Sequence, residues 1–132
     1  MWSVSCHQNP SMTEARQKLG ESGEDLACRE LVARGYAILA RRYRTRHGEI
    51  DVVAQDGETT VFVEVKMKSS ERCGVAAESV TRWKQRRVVR MAVDYIARHD
   101  LHGHPVRFDV VAIDVIDGTP RVTVIPAAFD AV

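Results

Sequence analysis

The chain of 132 residues contains few cysteines, few aromatic residues and no long apolar run. Its three cysteines, Cys6, Cys28 and Cys73, are scattered, so they form no zinc-binding pattern and suit a reducing cytoplasm. No apolar run reaches the ~20 residues of a membrane-spanning helix, so we expect no membrane partner. The first residues lack the basic start and apolar core of a signal peptide, and we therefore expect a cytoplasmic protein.

Net charge is also nearly absent, at +1, so no overall electric field attracts nucleic acid. What is present is an apolar content of 45%, which is typical of one globular domain. We predict a disordered tail over residues 1–12 and a single domain over residues 13–132.

Apolar residues recur at helical spacing in two long segments and form five shorter runs that are typical of strands. The predicted order is a helix from about Glu21 to Arg34, strands over 36–43, 49–54 and 61–66, a polar loop over 68–78, a helix from about Thr81 to His99, and strands over 106–115 and 121–125. Asp117-Gly118 joins the last two strands. This order predicts an α/β fold in which helices cover a small mixed sheet.

Asp56-Gly57, between the second and third strands, is the strongest short-range signal of a β-hairpin. If these two residues form the turn, Asp51 faces Phe62 and Glu49 faces Glu64. Side chains alternate sides along a strand, so the ionisable residues share one face. That face carries Glu49, Asp51, Phe62, Glu64 and Lys66, and the other carries Ile50, Val52, Val61, Val63 and Val65. The apolar face should pack on a core.

The charges within these strands need partners, because buried charges persist only when they are paired or bind a metal. Asp51 and Glu64 offer the hard oxygen ligands that Mg²⁺ or Mn²⁺ prefers, and such an ion activates water for attack on a phosphodiester. Lys66 could position that water or stabilise the negative transition state. The pattern predicts a metal-dependent phosphodiesterase site, and the alternative is a cross-strand salt bridge on a solvated face.

Basic residues are concentrated on the second predicted helix. Arg82 is followed by Arg86 and Arg90 at intervals of four residues, which predicts a face that tracks phosphates or, alternatively, an ordinary solvated face. The predicted nucleic-acid contacts are Arg44, Arg82, Lys84, Arg86, Arg87 and Arg90. Lys84 has a second interpretation, in which it turns towards the acidic cluster.

Four further residues have structural interpretations. Trp83 and Tyr95 are predicted to pack their helix against the core rather than to stack on bases. Asp109 lies in an apolar strand, where it is predicted to be a structural hydrogen-bond acceptor or ion-pair partner. Glu24 lies near the start of the first helix, where a carboxylate complements the helix dipole.

Several motifs together resemble the bacterial YraN family of endonuclease-like proteins. They are Gly23-Glu24, Leu31, Gly35-Tyr36, the run from Gly48 to Ala54, the run from Val61 to Lys66, and the run from Arg107 to Val111. The order of these motifs is similar to that of archaeal Holliday-junction resolvases within the PD-(D/E)xK nuclease superfamily. The resemblance extends from about Leu19 to the C-terminus.

The resemblance implies a restriction-endonuclease-like α-β-β-β-α-β core and an Mg²⁺- or Mn²⁺-dependent endodeoxyribonuclease. It implies that Asp51 and Glu64 are metal ligands, that Lys66 is the catalytic lysine, and that Glu24 completes the metal site. DNA, including branched or repair intermediates, is the implied partner, and the likeness to resolvases implies a homodimer. The alternative is a catalytically silent nucleic-acid-binding protein or a subunit of a DNA repair or competence complex.

Overall fold

The computed structural model describes residues 7–8 and 22–131. Its elements are β1 (His7–Gln8), α1 (Gly23–Ala33), β2 (Ala37–Thr45), β3 (Gly48–Asp56), β4 (Thr59–Ser69), α2 (Val75–Glu78), α3 (Arg82–Arg98), β5 (Val106–Ile116) and β6 (Thr119–Phe129). The strands form one sheet in the order β1-β6-β5-β4-β3-β2. Only β4 and β5 are parallel to each other, and the other neighbours are antiparallel. The predicted mixed α/β sheet flanked by helices is therefore confirmed.

The short strand β1 forms one edge of the sheet. His7 pairs with Val122 and Gln8 pairs with Arg121. At these two positions the chain is paired, whereas the sequence predicted a disordered tail. The rest of that predicted tail, residues 1–6 and 9–12, lies outside the described residues.

Helix α1 packs on one face of the sheet, close to the bounds that the sequence predicted. Ser22 caps its first turn, because the Ser22 hydroxyl accepts a hydrogen bond from the Asp25 amide and the Asp25 carboxylate accepts one from the Ser22 amide. Leu26 and Leu31 are fully buried against Val63 and its apolar neighbours in the sheet. These residues form the core side of α1.

Helix α3 packs on the opposite face, because its core partner Phe62 alternates with the Val63 that α1 covers. The buried residues of α3 in the cluster around Phe62 are Val88, Met91, Ala92 and Tyr95. Both faces of the sheet are therefore covered. The charged face of the hairpin lies beside α3 and not in open solvent.

The hairpin between β3 and β4 has a different turn from the predicted one. Asp56 pairs with Thr59, so the turn residues are Gly57 and Glu58. Gly57 has a φ of +60°, and it occupies the first central position, where a type II′ turn places glycine. The predicted cross-strand partners were wrong by two residues. Because the error is an even number, every side chain of β4 keeps its predicted face.

Ile50 is an exception to the predicted apolar face. It packs with Val53 and Phe62 in the cluster that α3 covers, and it pairs with Tyr43 of β2. Val52, Val61 and Val63 pack in the cluster that α1 covers, so the prediction that Ile50 shares their face was wrong. The pairing of β2 with β3 is regular around Ile50, and its described register shift lies further along, between Ile38 and Ala40.

The segment after β4 is more ordered than the predicted polar loop. Residues Val75–Glu78 form α2, which packs Ala76 and Ala77 against the sheet. The Asp114 carboxylate of β5 accepts hydrogen bonds from the Gly74 amide at 3.0 Å and the Ala76 amide at 2.9 Å. A buried carboxylate from a distant strand therefore caps this short helix.

Asp109 is fully buried and joins three parts of the fold. Its carboxylate accepts hydrogen bonds from the Tyr36 hydroxyl at 2.8 Å, the Arg107 guanidinium at 2.8 Å and the Ala127 amide at 3.0 Å. Arg107 also reaches Asp56 at 3.0 Å. The prediction that Asp109 is a structural acceptor and ion-pair partner is confirmed.

Two further observations concern membrane-spanning helices and the state of the cysteines. Among the described residues, no helix has both the length and the apolar character needed to cross a membrane. Cys28 is buried with a free thiol, whereas Cys73 is disulfide-bonded, which the scattered cysteine pattern did not suggest.

Candidate metal centre and nucleic-acid interface

A small concavity lies between the β3–β4 hairpin and the start of α3. It has a volume of about 220 Å³ and a base formed by Val88 and Met91. Its charged lining consists of Glu49, Asp51, Glu64, Lys66, Lys84 and Arg87. We call it the acidic concavity. It contains all four ionisable residues that the sequence predicted to share one face of the hairpin.

Asp51 is held in place by the neighbouring strand. Its Oδ2 atom accepts a hydrogen bond of 2.9 Å from the Val65 amide, just beyond the last described ladder pair of Val52 and Val63. This bond fixes the direction of the carboxylate. Burial raises the pKa of Asp51, and the negative charges of Glu24 and Glu49 act in the same direction.

Glu64 lies within hydrogen-bonding distance of Asp51. Burial raises the pKa of Glu64 to about 8, and both the charge of Asp51 and the hydrogen bond between the two carboxyl groups contribute to the rise. Lys84 and Lys66 oppose it. Two crowded carboxylates of this kind need a positive charge to remain ionised together.

Two lysines approach the pair from different elements. Lys66 follows Glu64 on β4, and Lys84 lies in the first turn of α3, where its Nζ atom donates to the Ser79 carbonyl at 3.4 Å. Contact with Lys66 is the main cause of a lowered pKa of Lys84. Lys84 therefore turns towards the acidic cluster, and its predicted contact with nucleic acid stays a prediction.

Glu24 is not part of the acidic concavity. Its carboxylate bonds to the Arg41 guanidinium at 3.2 Å and to the Arg42 guanidinium at 3.1 Å. Within residues 7–8 and 22–131, no three His, Cys, Asp or Glu side chains are grouped closely enough to hold a metal ion. The structure therefore brings Asp51 and Glu64 together but not the predicted set of three carboxylates.

The donor set nevertheless suits a hard divalent cation. Magnesium in phosphoryl-transfer sites is commonly bound by one or two carboxylates, with water and substrate phosphate as the other ligands. Asp51 and Glu64 supply two carboxylates from adjacent strands, and a cation between them would offset the burial and the neighbouring negative charges that raise the pKa of both.

The predicted basic residues fall into two groups. Arg82, Arg86 and Arg90 lie on the exposed face of α3, where they line a second concavity of about 500 Å³. Arg44 instead pairs with Glu49 at 3.2 Å. Together with the Arg41 and Arg42 pairs described above, this leaves the basic run of β2 largely neutralised by acids.

Trp83 differs from its prediction. Its side chain is 66% exposed, whereas Tyr95 is buried in the core as expected. A third concavity, of about 240 Å³, is lined by His47, Trp83, Arg86, Arg87 and Arg90. We call it the Trp83 concavity. The sequence did not indicate it, because Trp83 and the β2–β3 turn are far apart in the chain.

The comparisons with known proteins support one family. The model of the uncharacterised protein family UPF0102 matches residues 23–113, a range that includes Glu24, Asp51, Glu64 and Lys66. A UPF0102 protein of Anaeromyxobacter dehalogenans is 49% identical over 117 residues, which cover 89% of this chain and 87% of the relative. Another, of Symbiobacterium thermophilum, is 47% identical over 116 residues, or 87% and 98%. The chain belongs to UPF0102, the YraN family.

Proposed function

We propose that the chain is an Mg²⁺- or Mn²⁺-dependent endonuclease that acts on DNA, including branched or repair intermediates. The observation that carries this proposal is the convergence of Asp51, Glu64 and Lys66 in one concavity beside the basic face of α3. Asp51 and Glu64 would hold the cation. Bound there, the cation would polarise the phosphodiester and supply a hydroxide-like nucleophile.

The residues of the chain would provide orientation and charge. The hydrogen bond from the Val65 amide would hold the Asp51 carboxylate in one orientation, directed into the acidic concavity. Lys66 would stabilise the negative charge that develops on the phosphate, since a fixed cation in a partly buried site is effective there. Lys84 would act from the opposite side, and its contact with Lys66 favours an anion between the two amines.

The exposed arginines of α3 would guide DNA to this site. Arg87 lines the acidic concavity, and Arg86 and Arg90 lie near it on the same helix, where they line the Trp83 concavity. A phosphate backbone that follows this face would pass the opening of the acidic concavity. Each phosphate neutralised on duplex DNA adds about −0.9 to the slope of log affinity against log salt concentration.

A second candidate is a nucleic-acid-binding protein without turnover, for example a subunit of a repair or competence complex. The observation that favours it is that Glu24 pairs with Arg41 and Arg42 and does not line the acidic concavity. This candidate retains the basic face of α3. It predicts salt-dependent DNA binding without metal-dependent cleavage.

Cleavage of flap, junction and single-stranded DNAs in Mn²⁺ tests the proposal. We expect the wild type to cut at least one of them and Asp51→Asn and Lys66→Ala to lose about 100-fold or more in rate. Glu58→Gln is the matched control, because Glu58 is an exposed carboxylate in the turn of the same hairpin. Its rate should equal that of the wild type.

Two results would decide against the endonuclease. Cleavage that survives Asp51→Asn and Lys66→Ala would come from another site or a contaminant. Salt-dependent binding without any cleavage, in both Mg²⁺ and Mn²⁺, would support the second candidate.

A further inference from the structure

Trp83 is an aromatic residue that lies outside the hydrophobic core. Phe62, Tyr95 and Phe108 are buried, whereas Trp83 is 66% exposed in the first turn of α3. Hydration of the apolar indole surface is unfavourable, so covering Trp83 with a ligand would be favourable and the ring is available as a contact surface.

The indole stands beside a guanidinium that is itself fixed. The Cζ atom of Arg87 lies 5.8 Å from the centre of the Trp83 ring. The Nε atom of Arg87 donates to the His47 carbonyl at 3.0 Å. Gly48 makes room for this arrangement, because a Cβ atom there would overlap the guanidinium. Arg87 is thus tied to the β2–β3 turn and presents a constant neighbour to the indole.

The chemistry of the Trp83 concavity suits a nucleotide. Around one flat aromatic face it gathers the guanidinium groups of Arg86, Arg87 and Arg90, and its described lining includes no carboxylate. Aromatic rings bind nucleobases by stacking, and arginines bind the phosphates that connect them. A volume of about 240 Å³ offers space for a single base and not for a duplex.

We propose that the Trp83 concavity binds one unpaired nucleotide of a DNA strand, with its base stacked on Trp83 and its phosphates on the arginines. Bases inside a duplex are stacked on each other and do not present their faces, so this site selects single strands, flaps and other unpaired segments.

The proposal deepens the proposed function and rests on it for one consequence. Arg87 lines both the Trp83 concavity and the acidic concavity. A nucleotide on Trp83 would therefore place a neighbouring phosphodiester close to Asp51 and Glu64. Cleavage would then occur next to an unpaired nucleotide.

Binding in EDTA tests the site without any cleavage. The chain has two tryptophans, Trp2 and Trp83, so a Trp2→Phe background leaves Trp83 as the only indole. We expect a short oligothymidylate to quench its fluorescence. We also expect an oligomer of the same length with abasic sites, and a matched duplex, to quench it much less.

Affinity for the labelled oligothymidylate, measured by anisotropy, separates stacking from charge. Trp83→Ala should weaken binding by about 5- to 100-fold with an unchanged salt slope, and Trp83→Phe should restore most of the affinity. Arg86→Gln should instead reduce the slope by about 0.7. Val93→Ala is the matched control, because Val93 is a 59% exposed apolar residue of the same helix. It should bind like the wild type.

Several outcomes would overturn the subsite. They are no quenching by the oligothymidylate, equal affinity for the abasic oligomer, equal affinity for the duplex, or an unchanged affinity in Trp83→Ala. Because EDTA prevents catalysis, a chain that never cuts DNA can still pass this test. A chain that cuts DNA but shows no Trp83 dependence would lose the subsite and keep the endonuclease.

Discussion

At the scale of single residues, the acidic concavity brings together two carboxyl groups of like charge. Asp51 and Glu64 are half-buried, share a hydrogen bond and have raised pKa values. Structural ion pairs usually match one acid with one base, whereas here two carboxyl groups are hydrogen-bonded to each other. Such an arrangement is typical of sites that bind a cation or move a proton.

The raised pKa of Glu64 predicts how the stability of the metal-free protein depends on pH. In EDTA, the folded chain keeps the Glu64 proton up to about pH 8, whereas the unfolded chain releases it near the ordinary value of 4.5. The unfolded state therefore binds fewer protons in this window, and the free energy of unfolding falls as pH rises from about 5 to about 8. Urea unfolding at several pH values measures this fall.

Glu64→Gln is the variant that isolates the effect. It should flatten the fall in stability over the same pH window, because glutamine does not titrate. Glu58→Gln, in the exposed turn, should leave the wild-type profile unchanged. Identical profiles for the wild type and Glu64→Gln would show that Glu64 titrates normally.

We predict that substitution of Gly48 destabilises the protein, and substitution of Gly57 is the control. Gly48 has a φ of +129° and lies against Arg87, whereas Gly57 has a φ of +60° and open space around it. We expect Gly48→Ala to lower the free energy of unfolding by roughly 1–3 kcal/mol. It should also move Arg87 and so change the fluorescence of Trp83. We expect Gly57→Ala to cost about 1 kcal/mol and leave that fluorescence unaltered. Equal fluorescence in both variants would contradict this role of Gly48.

The residues of the acidic concavity could be predicted because side chains alternate between the two faces of a strand. An error of two residues in the cross-strand partners therefore leaves each side chain on its predicted face. A turn displaced by two residues left Asp51, Glu64 and Lys66 on the same face. Glu24 could not be placed in this way. Its direction depends on whether it meets Arg41 and Arg42 or the carboxylates, and a sequence pattern cannot weigh those interactions.

At the scale of elements, the two hairpins show where local signals were sufficient and where they were not. Asp117 and Gly118 have φ values of +51° and +76°, so they form the two-residue turn that was predicted. Asp56-Gly57 has the same letters, but Gly57 takes the first turn position there. Which residues form the turn depends on the register in which the valines of both strands pack in the core. That register is set by contacts across the whole sheet.

Helix bounds were predictable because caps are local. Thr81 and His99 flank α3 as the sequence indicated, and the Thr81 hydroxyl accepts a hydrogen bond from the Lys84 amide. Helix α2 was missed, since its capping carboxylate, Asp114, comes from β5. Long-range partners of this kind leave no signal in a local window.

The buried network around Asp109 predicts a large loss of stability. Asp109→Ala would leave Arg107 and the Tyr36 hydroxyl without their main acceptor. We expect a loss of roughly 3–5 kcal/mol in the free energy of unfolding by urea denaturation. Tyr36→Phe removes two hydrogen bonds, one donated to Asp109 and one accepted from Arg107, but keeps the Arg107–Asp109 ion pair, so it should cost only about 1–2 kcal/mol. Similar losses in the two variants would mean that Arg107 finds another partner.

At the scale of the whole molecule, charge is segregated although the net charge is only +1. Arg82, Arg86 and Arg90 on the exposed face of α3 form no ion pair with another described residue, whereas Arg41, Arg42 and Arg44 of β2 are paired with acids. Composition alone gave no reason to expect nucleic acid. The distribution of charge over the fold does, because an electrostatic patch acts locally.

This segregation predicts different effects of two arginines on DNA binding. Arg90→Gln should reduce the salt slope for duplex DNA by about 0.9, because Arg90 faces solvent on α3. Arg44→Gln should change the slope much less, because Glu49 already neutralises Arg44. Binding isotherms over a range of salt concentrations measure both slopes. Equal reductions would show that the Arg44–Glu49 pair opens when DNA binds.

We propose that the Asp51–Glu64 pair holds one divalent cation, and isothermal titration of Mn²⁺ into the EDTA-stripped and dialysed chain measures this binding. We predict one binding site in the wild type and in Glu58→Gln, and no heat above dilution in Asp51→Asn. A flat titration in the wild type, or the same isotherm in Asp51→Asn, would contradict the claim.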